Sequence, residues 1–444
     1  MSQHQKSALS TKHSVQSTKN MQPNETHFKV DIRSEIGELE GVIIHTPGPE
    51  VENMTPDSSH KALYSDILNL PVALKEFNQF KGFLSKVTKT FEVKDLLSEV
   101  IQNPEHRSEL LHEIVTKERL NEYTVAELMA IKHEKLSTLL IEGVEMRKDN
   151  LTRFLSKDRY SIEPLHNFFF TRDASVAMLD KVLISRMFSR IRDRESIIMD
   201  SIFRHHPSFG VKTIHPDQSR HFCKEFSFEG GDFLVAREDI LLIGTGTRTT
   251  PKAIDFILEY YKEKKVQRHI IVQELPYTPE SFIHLDMVFT FLDRNQCMVY
   301  EPLIILPSRY LTIHIHIDNG KVKSILEVEN IPAILKELGM EMETLYCGGR
   351  RDSMIQEREQ WHSGANFFAI APGKVIGYGR NVNTIEELSK HGYAVIKAND
   401  VVQNKVNIND FEKFVVTIDG SELSRGGGGC RCMTMPVRRK AVEW

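Results

Sequence analysis

The 444-residue chain reads as an α/β protein, a ring of repeated ββαβ units with a helical region near its start. Three observations predict this. Between Pro71 and Asp158 the only glycines are Gly82 and Gly143, and apolar residues such as Phe77, Phe80, Leu84 and Val87 fall at helical spacing. From Phe168 onward the texture changes to short β-rich runs separated by polar turns and helical stretches. Within that body a pattern of strand, polar turn and strand recurs at 176–184, 235–244, 291–300 and 370–378. Two of these copies lead, through Thr249-Thr-Pro251 and Asn383-Thr384, into a helix.

Taken in order, residues 1–27 are rich in Ser, Thr, Gln and Lys, with one acid and few apolar groups, so they are expected to form a disordered tail. A mitochondrial presequence would carry arginine, and this stretch has none; Met21 is a candidate alternative start. Residues 28–444 are expected to form the α/β body, and residues 71–158 within it read as several packed helices. The runs Lys181–Ser185, Ile240–Ile243 and His269–Val272 are its clearest strands.

A hydrophobic content of 40% lets a chain of this length bury a large core, and a formal charge of −4 supplies no basic field for nucleic acid or an anionic membrane. No apolar run approaches the roughly 20 residues that span a bilayer. The expectation is a cytoplasmic protein with neither nucleic-acid nor membrane partners. Its five cysteines are odd in number, and only one of their four intervals is short, which is no disulfide framework. Cys430 and Cys432 alone have an unusual setting, inside a glycine-rich run.

Four clusters carry chemistry: Asn167-Phe-Phe-Phe-Thr-Arg-Asp173, Phe228-Glu-Gly-Gly-Asp232, His284-Leu-Asp286, and Arg425-Gly-Gly-Gly-Gly-Cys-Arg-Cys-Met-Thr-Met-Pro436. Each lies at the edge of a strand-like run, where loops of α/β proteins usually build sites. Singly each has an ordinary meaning: an ion pair for Asp173, a capped turn for Glu229 to Asp232, a structural His-x-Asp. Cys430 and Cys432 would make half a zinc site, but no second Cys or His pair stands at customary spacing, so no metal is expected. Together the clusters supply a thiol, a histidine and several carboxylates. A thiol needs a base or a cation to ionise, and three or four carboxylates in one pocket suit a planar cation, best a guanidinium.

In the order Asn-x-x-Phe-Thr-Arg-Asp, Glu-Gly-Gly-Asp, His-Leu-Asp, Arg-Cys-Met-Thr-Met-Pro, these blocks resemble those of the arginine deiminases. Ser34-Glu-Ile-Gly-Glu-Leu39, Arg358-Glu-Gln-Trp361 with Gly364-Ala-Asn366, and the terminal Arg439-Lys440 with Trp444 agree, so the resemblance runs from about residue 28 to the end. It implies a five-bladed α/β propeller of the guanidino-group modifying superfamily with a helical insertion. By position it makes Cys432 the nucleophile, His284 the general acid and base, and Glu229 the group that orients His284. Asp173 and Asp286 would clasp the guanidinium, and Asn167, Arg192 and Arg248 would bind the amino-acid end.

The implied reaction is hydrolysis of L-arginine to L-citrulline and ammonia through an amidino-cysteine, with no metal or organic cofactor; relatives are often homo-oligomers. Many relatives place an arginine inside the glycine run to hold the substrate carboxylate. Here that position is Gly427, and the expected substitute is Arg425, two residues earlier, or backbone N–H groups of the glycine run itself. Agmatine deiminases, methylarginine hydrolases and amidinotransferases share the cysteine chemistry, and a non-catalytic relative would keep the fold as a binding module. The intact Cys, His, Glu and Asp set argues against a non-catalytic relative, and the helical insertion with the arginines placed for an α-carboxylate favours free arginine.

Overall fold

Residues 28–56, 66–120, 122–216 and 226–444 are described by the computed structural model; the expected amino-terminal tail and Cys223 lie outside the described residues. Five of its sheets follow one pattern: an antiparallel pair of strands, a helical crossover, and a third strand parallel to the second. The first sheet joins the ends of the described chain. Its central strand Leu39–Ile44 pairs antiparallel with Met435–Arg439 and, after the helix Leu70–Val87, parallel with Lys89–Glu92. In the second, Ser175–Met178 and Lys181–Ile184 are followed by the helix Asp193–His205 and the strand Thr213–Ile214. The third runs Phe233–Arg237, Ile240–Thr245, the helix Pro251–Lys264 and Arg268–Glu274. The fourth is Phe289–Asp293, Gln296–Val299 and Glu343–Tyr346. In the fifth, Phe368–Ala371 and Lys374–Tyr378 precede the helix Val382–Lys390, the outer strand Ala394–Lys397 and Phe414–Ile418.

Two departures from the bare pattern have local causes. The connection inside the fourth sheet carries a hairpin, Thr312–Asp318 with Lys321–Val328, which turns at Asn319 and Gly320, both at positive φ, and adds to the edge of the third sheet beside Arg268–Glu274. The helix Leu70–Val87, which heads the glycine-poor region, is the crossover of the first sheet. Asn69 caps it by accepting the Val72 N–H, Pro71 sits in its first turn, and it buries Ala73, Phe77, Phe80, Phe83 and Leu84. The helices Val93–Val100, Pro104–Glu118, Glu122–Met129 and His133–Glu142 follow it, before the second sheet.

The buried apolar residues form three clusters. One lies under the second and third sheets and the helices that follow Val93, one under the third, fourth and fifth sheets, and one under the first and fifth with the helix Leu70–Val87. Five loops meet between them, one leading into the first strand of each sheet.

Candidate active site

Those five loops hold the candidate site residues. The segment 167–173 leads into Ser175–Met178, 229–232 into Phe233–Arg237, 284–287 into Phe289–Asp293, 363–366 into Phe368–Ala371, and 430–434 into Met435–Arg439. Hydrogen bonds link each to the next and the last to the first. Gly230 N–H donates to the Asp173 carbonyl at 3.0 Å, Leu285 N–H to Asp232 Oδ1 at 2.9 Å, and Asn366 Nδ2 to the Asp286 carbonyl at 3.1 Å. Asn366 Oδ1 then accepts the Arg431 N–H at 2.9 Å, and Arg172 N–H donates to the Cys432 carbonyl at 3.0 Å. Glycine is needed where these loops touch: a Cβ at Gly231 would lie 2.3 Å from His284 Nδ1, and one at Gly429 would lie 2.5 Å from Asn366 Oδ1.

Above this ring lies a cavity of about 240 Å³ lined by Asn167, Asp173, Arg192, Arg248, His284 and Cys432, with Phe170, Phe188, Tyr277 and Gly426 to Gly428 among its other walls. Glu229 and Asp286 are fully buried and are absent from that lining. His284 Nε2 donates to Glu229 Oε2 at 3.0 Å, and Nδ1 faces Asp173 Oδ1 at 3.6 Å. Cys432 Sγ lies 3.7 and 3.9 Å from the two oxygens of Asp286 and 3.2 Å from Asn366 Nδ2.

Electrostatics follow from burial and these neighbours. Burial pulls His284 down, but Asp173, the bond to Glu229 and Asp232 outweigh it and raise its pKa to about 9, so the ring carries both protons at neutrality. Burial would raise Glu229, yet Arg248, His284 and Arg192 hold it well below the usual carboxylate range. Burial, then Asp286 and Asp173, push the Cys432 thiol well above its ordinary value. Asp232, whose Oδ2 has no hydrogen-bond partner, is raised to about 7, chiefly by burial.

One donor from each of Asp173, Glu229 and His284 lies within 4.8 Å of the others, a set that could in composition hold a metal ion. Its chemistry fits a cation of another kind. Arg192 Nη1 already bonds Asp173 Oδ2 at 3.0 Å, and Arg248 Nη1 reaches both Glu229 oxygens at 3.3 Å, so the carboxylates of the set already face cationic guanidinium groups.

The family profile described as arginine deiminase matches residues 60–439. The chain belongs to the arginine deiminase family. Among its relatives are an arginine deiminase of Bacillus cereus (strain B4264), 32% identical over 437 residues and covering 93% of this chain and 99% of that one. An arginine deiminase of Listeria monocytogenes serotype 4a (strain HCC23) is also 32% identical, over 430 residues, covering 93% and 98%. A solved structure, SxtG, an amidinotransferase from Microseira wollei in the saxitoxin biosynthetic pathway, superposes with a TM-score of 0.50 at 14% identity, covering 93% of this chain and 98% of its own; the likeness is one of fold. Family membership makes the chain a hydrolase of C–N bonds.

Of the residues expected from sequence to form the arginine deiminase site, the structure gathers all but one. Arg425 stands outside the cavity lining, its side chain 41% exposed and bonded to Asp66 and Glu422, and it lines a neighbouring pocket with Trp361, His362 and Arg380. Gly427, at φ 85°, forms the wall between the two. Arg192 places three of its five N–H groups on carboxylates, two on Glu195 at 3.0 and 2.8 Å and one on Asp173 at 3.0 Å, whereas Arg248 Nε has no partner.

Three residues with no role in the sequence reading are bound into the site. Arg431 bonds Asp286 Oδ2 at 2.8 Å and is itself held by Glu35 at 2.9 and 3.1 Å. Asn366 touches the sulfur. The signal for Glu35 and Asn366 was their place in the blocks Ser34-Glu-Ile-Gly and Gly364-Ala-Asn366.

Proposed function

We propose that this chain hydrolyses free L-arginine to L-citrulline and ammonia through a covalent intermediate on Cys432. One observation carries the reading: a single cavity presents a thiol, a doubly protonated imidazole and a carboxylate to one small ligand, with Arg248 in the same wall. A guanidinium is stabilised by resonance and is a poor electrophile, so it must be held with its carbon before the sulfur. Asp173 offers Oδ1, since Oδ2 is engaged by Arg192, and Asp286 offers Oδ1 beside the sulfur. The cation also eases the charge problem: burial and two carboxylates hold the thiol protonated, and a guanidinium between the carboxylates removes their share of the opposition to a thiolate.

With the cation bound the thiol gives up its proton to solvent, since His284 already carries two, and the thiolate adds to the guanidinium carbon. His284, protonated on Nδ1 and anchored through Nε2 to Glu229, gives its Nδ1 proton to the departing nitrogen, which leaves as ammonia. Water enters, loses a proton to the now neutral His284 and adds to the amidino carbon; the C–S bond breaks, citrulline forms, and the thiolate returns. Arg248, with its spare Nε–H, and Asn167 bind the α-carboxylate end, while Arg192 holds Asp173 in place.

The same reading takes the five ββαβ sheets as the blades of a closed propeller, supported by the hydrogen bonds that pass from loop to loop and return to the first. It takes the enzyme as a cytoplasmic homo-oligomer with L-arginine as its small-molecule partner. Among the described residues no helix is long and apolar enough to cross a membrane.

The test incubates purified protein with arginine, agmatine and a methylarginine in turn and measures ammonia and ureido product. Equal amounts of ammonia and citrulline from arginine, with far slower turnover of the other two, are expected. Consumption of arginine without ammonia when an amine is present would replace hydrolysis by amidino transfer.

A further inference from the structure

We propose that Asn366 is a catalytic residue, whose Nδ2–H stabilises the Cys432 sulfur as a thiolate; this rests on Cys432 being the nucleophile. Asn366 is 2% exposed and sits in the loop that leads into the first strand of the fifth sheet. Its Oδ1 accepts two backbone N–H groups, Arg431 at 2.9 Å and Cys432 at 3.3 Å. That pair fixes which way the amide faces, because a flip would set its NH₂ against two donors. The NH₂ therefore points the other way, where it meets the Asp286 carbonyl at 3.1 Å and Cys432 Sγ at 3.2 Å, with Met287 Sδ farther off at 3.7 Å.

The sulfur needs such a donor. Burial, Asp286 and Asp173 oppose its ionisation, and a backbone hydrogen bond at Gly429 and the Arg431 charge favour it; His284 shares the cavity, and the Asn366 N–H adds to the donors the sulfur has. A donor strengthens its bond when the acceptor becomes an anion, so an N–H aimed at the sulfur favours thiolate over thiol. The bond weakens when the sulfur is alkylated by the amidino carbon and is restored when the C–S bond breaks and its electron pair returns to sulfur. Asn366 thus assists both the attack and the final expulsion. Only glycine at 429 allows the approach, since a Cβ there would lie 2.5 Å from Oδ1 and 2.7 Å from Asn366 Cβ.

Two variants of the full chain separate this role from a structural one. Asn366→Asp keeps an acceptor for the two backbone N–H groups and removes the donor; Asn366→Ala removes both. The readout is the pH dependence of Cys432 alkylation by iodoacetamide without arginine, located by peptide mass, with thermal unfolding as the check on folding. The midpoint is expected to rise by about one pH unit or more in both variants, with labelling below it slowed roughly tenfold. An unchanged midpoint in Asn366→Asp, with wild-type unfolding, overturns the proposal. Citrulline formation that survives Cys432→Ser instead overturns the nucleophile reading, and is scored separately.

Discussion

Cys432 and Cys430 lie two positions apart in one glycine-rich loop, yet only Cys432 lines the cavity; Cys430 is buried among apolar residues, and burial alone pushes its thiol up. Cys432→Ala is therefore expected to abolish citrulline formation while arginine still binds, and Cys430→Ala to retain most activity, both read by product assay and calorimetric titration. The pH profile should be bell-shaped. His284 must be protonated to release ammonia, so activity falls as pH rises through about 9, and the acidic limb follows ionisation of the thiol in the substrate complex. Glu229→Gln removes a carboxylate that raises His284, so the alkaline limb should move to lower pH; an unmoved limb counts against His284 as the proton carrier. Arg248→Ala should raise the Michaelis constant for arginine by roughly 10- to 150-fold, the worth of a charge-assisted hydrogen bond, and scarcely alter that for agmatine. Arg425→Ala, outside the cavity, should change neither by more than a few-fold. At this scale the acids, the histidine and the thiol were legible in short motifs, because each brings its neighbours with it. The ion pair of Arg431 with Glu35 spans 396 positions, and no local pattern marks which of many arginines a buried glutamate will meet.

The loops depend on elements that hold them. Glu76, on the helix Leu70–Val87, accepts the backbone N–H groups of Ser421, Glu422 and Leu423, and so anchors the approach to the glycine run. Glu229-Gly-Gly-Asp232 similarly needs its glycines for contact. Gly231→Ala would set a Cβ 2.3 Å from His284 Nδ1, and is expected to lower kcat by about 100-fold or more by moving the imidazole, with the protein still folded by circular dichroism. A fully active Gly231→Ala enzyme would mean that His284 is free to move without cost. The helical periodicity of residues 71–158 was plain in sequence, but it does not tell a crossover helix from an inserted one. That distinction is made by strand pairing across the first sheet, at Ile43 opposite Phe91 and Met435, and pairing partners so far apart leave no periodic trace.

Across the whole molecule, buried charge ties the five sheets together and sets the pH range of the fold. Burial opposes ionisation of Glu35 and Glu92, but Arg431 and Arg172 for the one, and His45 for the other, lower both to about 2 from 4.5. Their contribution is complete above the unfolded value and is lost as pH falls from 4.5 towards 2, on the order of 3 kcal/mol for each carboxylate. His284 has the opposite sign: its contribution is complete below 6.5 and is lost as pH rises through about 9. The urea midpoint is expected to drop steeply between about pH 5 and pH 3, and less so in Glu35→Gln. The repeated strand, turn and strand pattern pointed to ββαβ units. The hairpin Thr312–Val328 was not anticipated as an addition to the third sheet, because its alternation does not say which edge it will join.

The most direct test of the account is the mass of the enzyme quenched in acid during turnover of arginine. A fraction of the protein should carry an added mass equal to arginine less ammonia, located on the peptide that contains Cys432 and absent from Cys432→Ser. Citrulline produced at the wild-type rate by Cys432→Ser, or the adduct found on another residue, would contradict it.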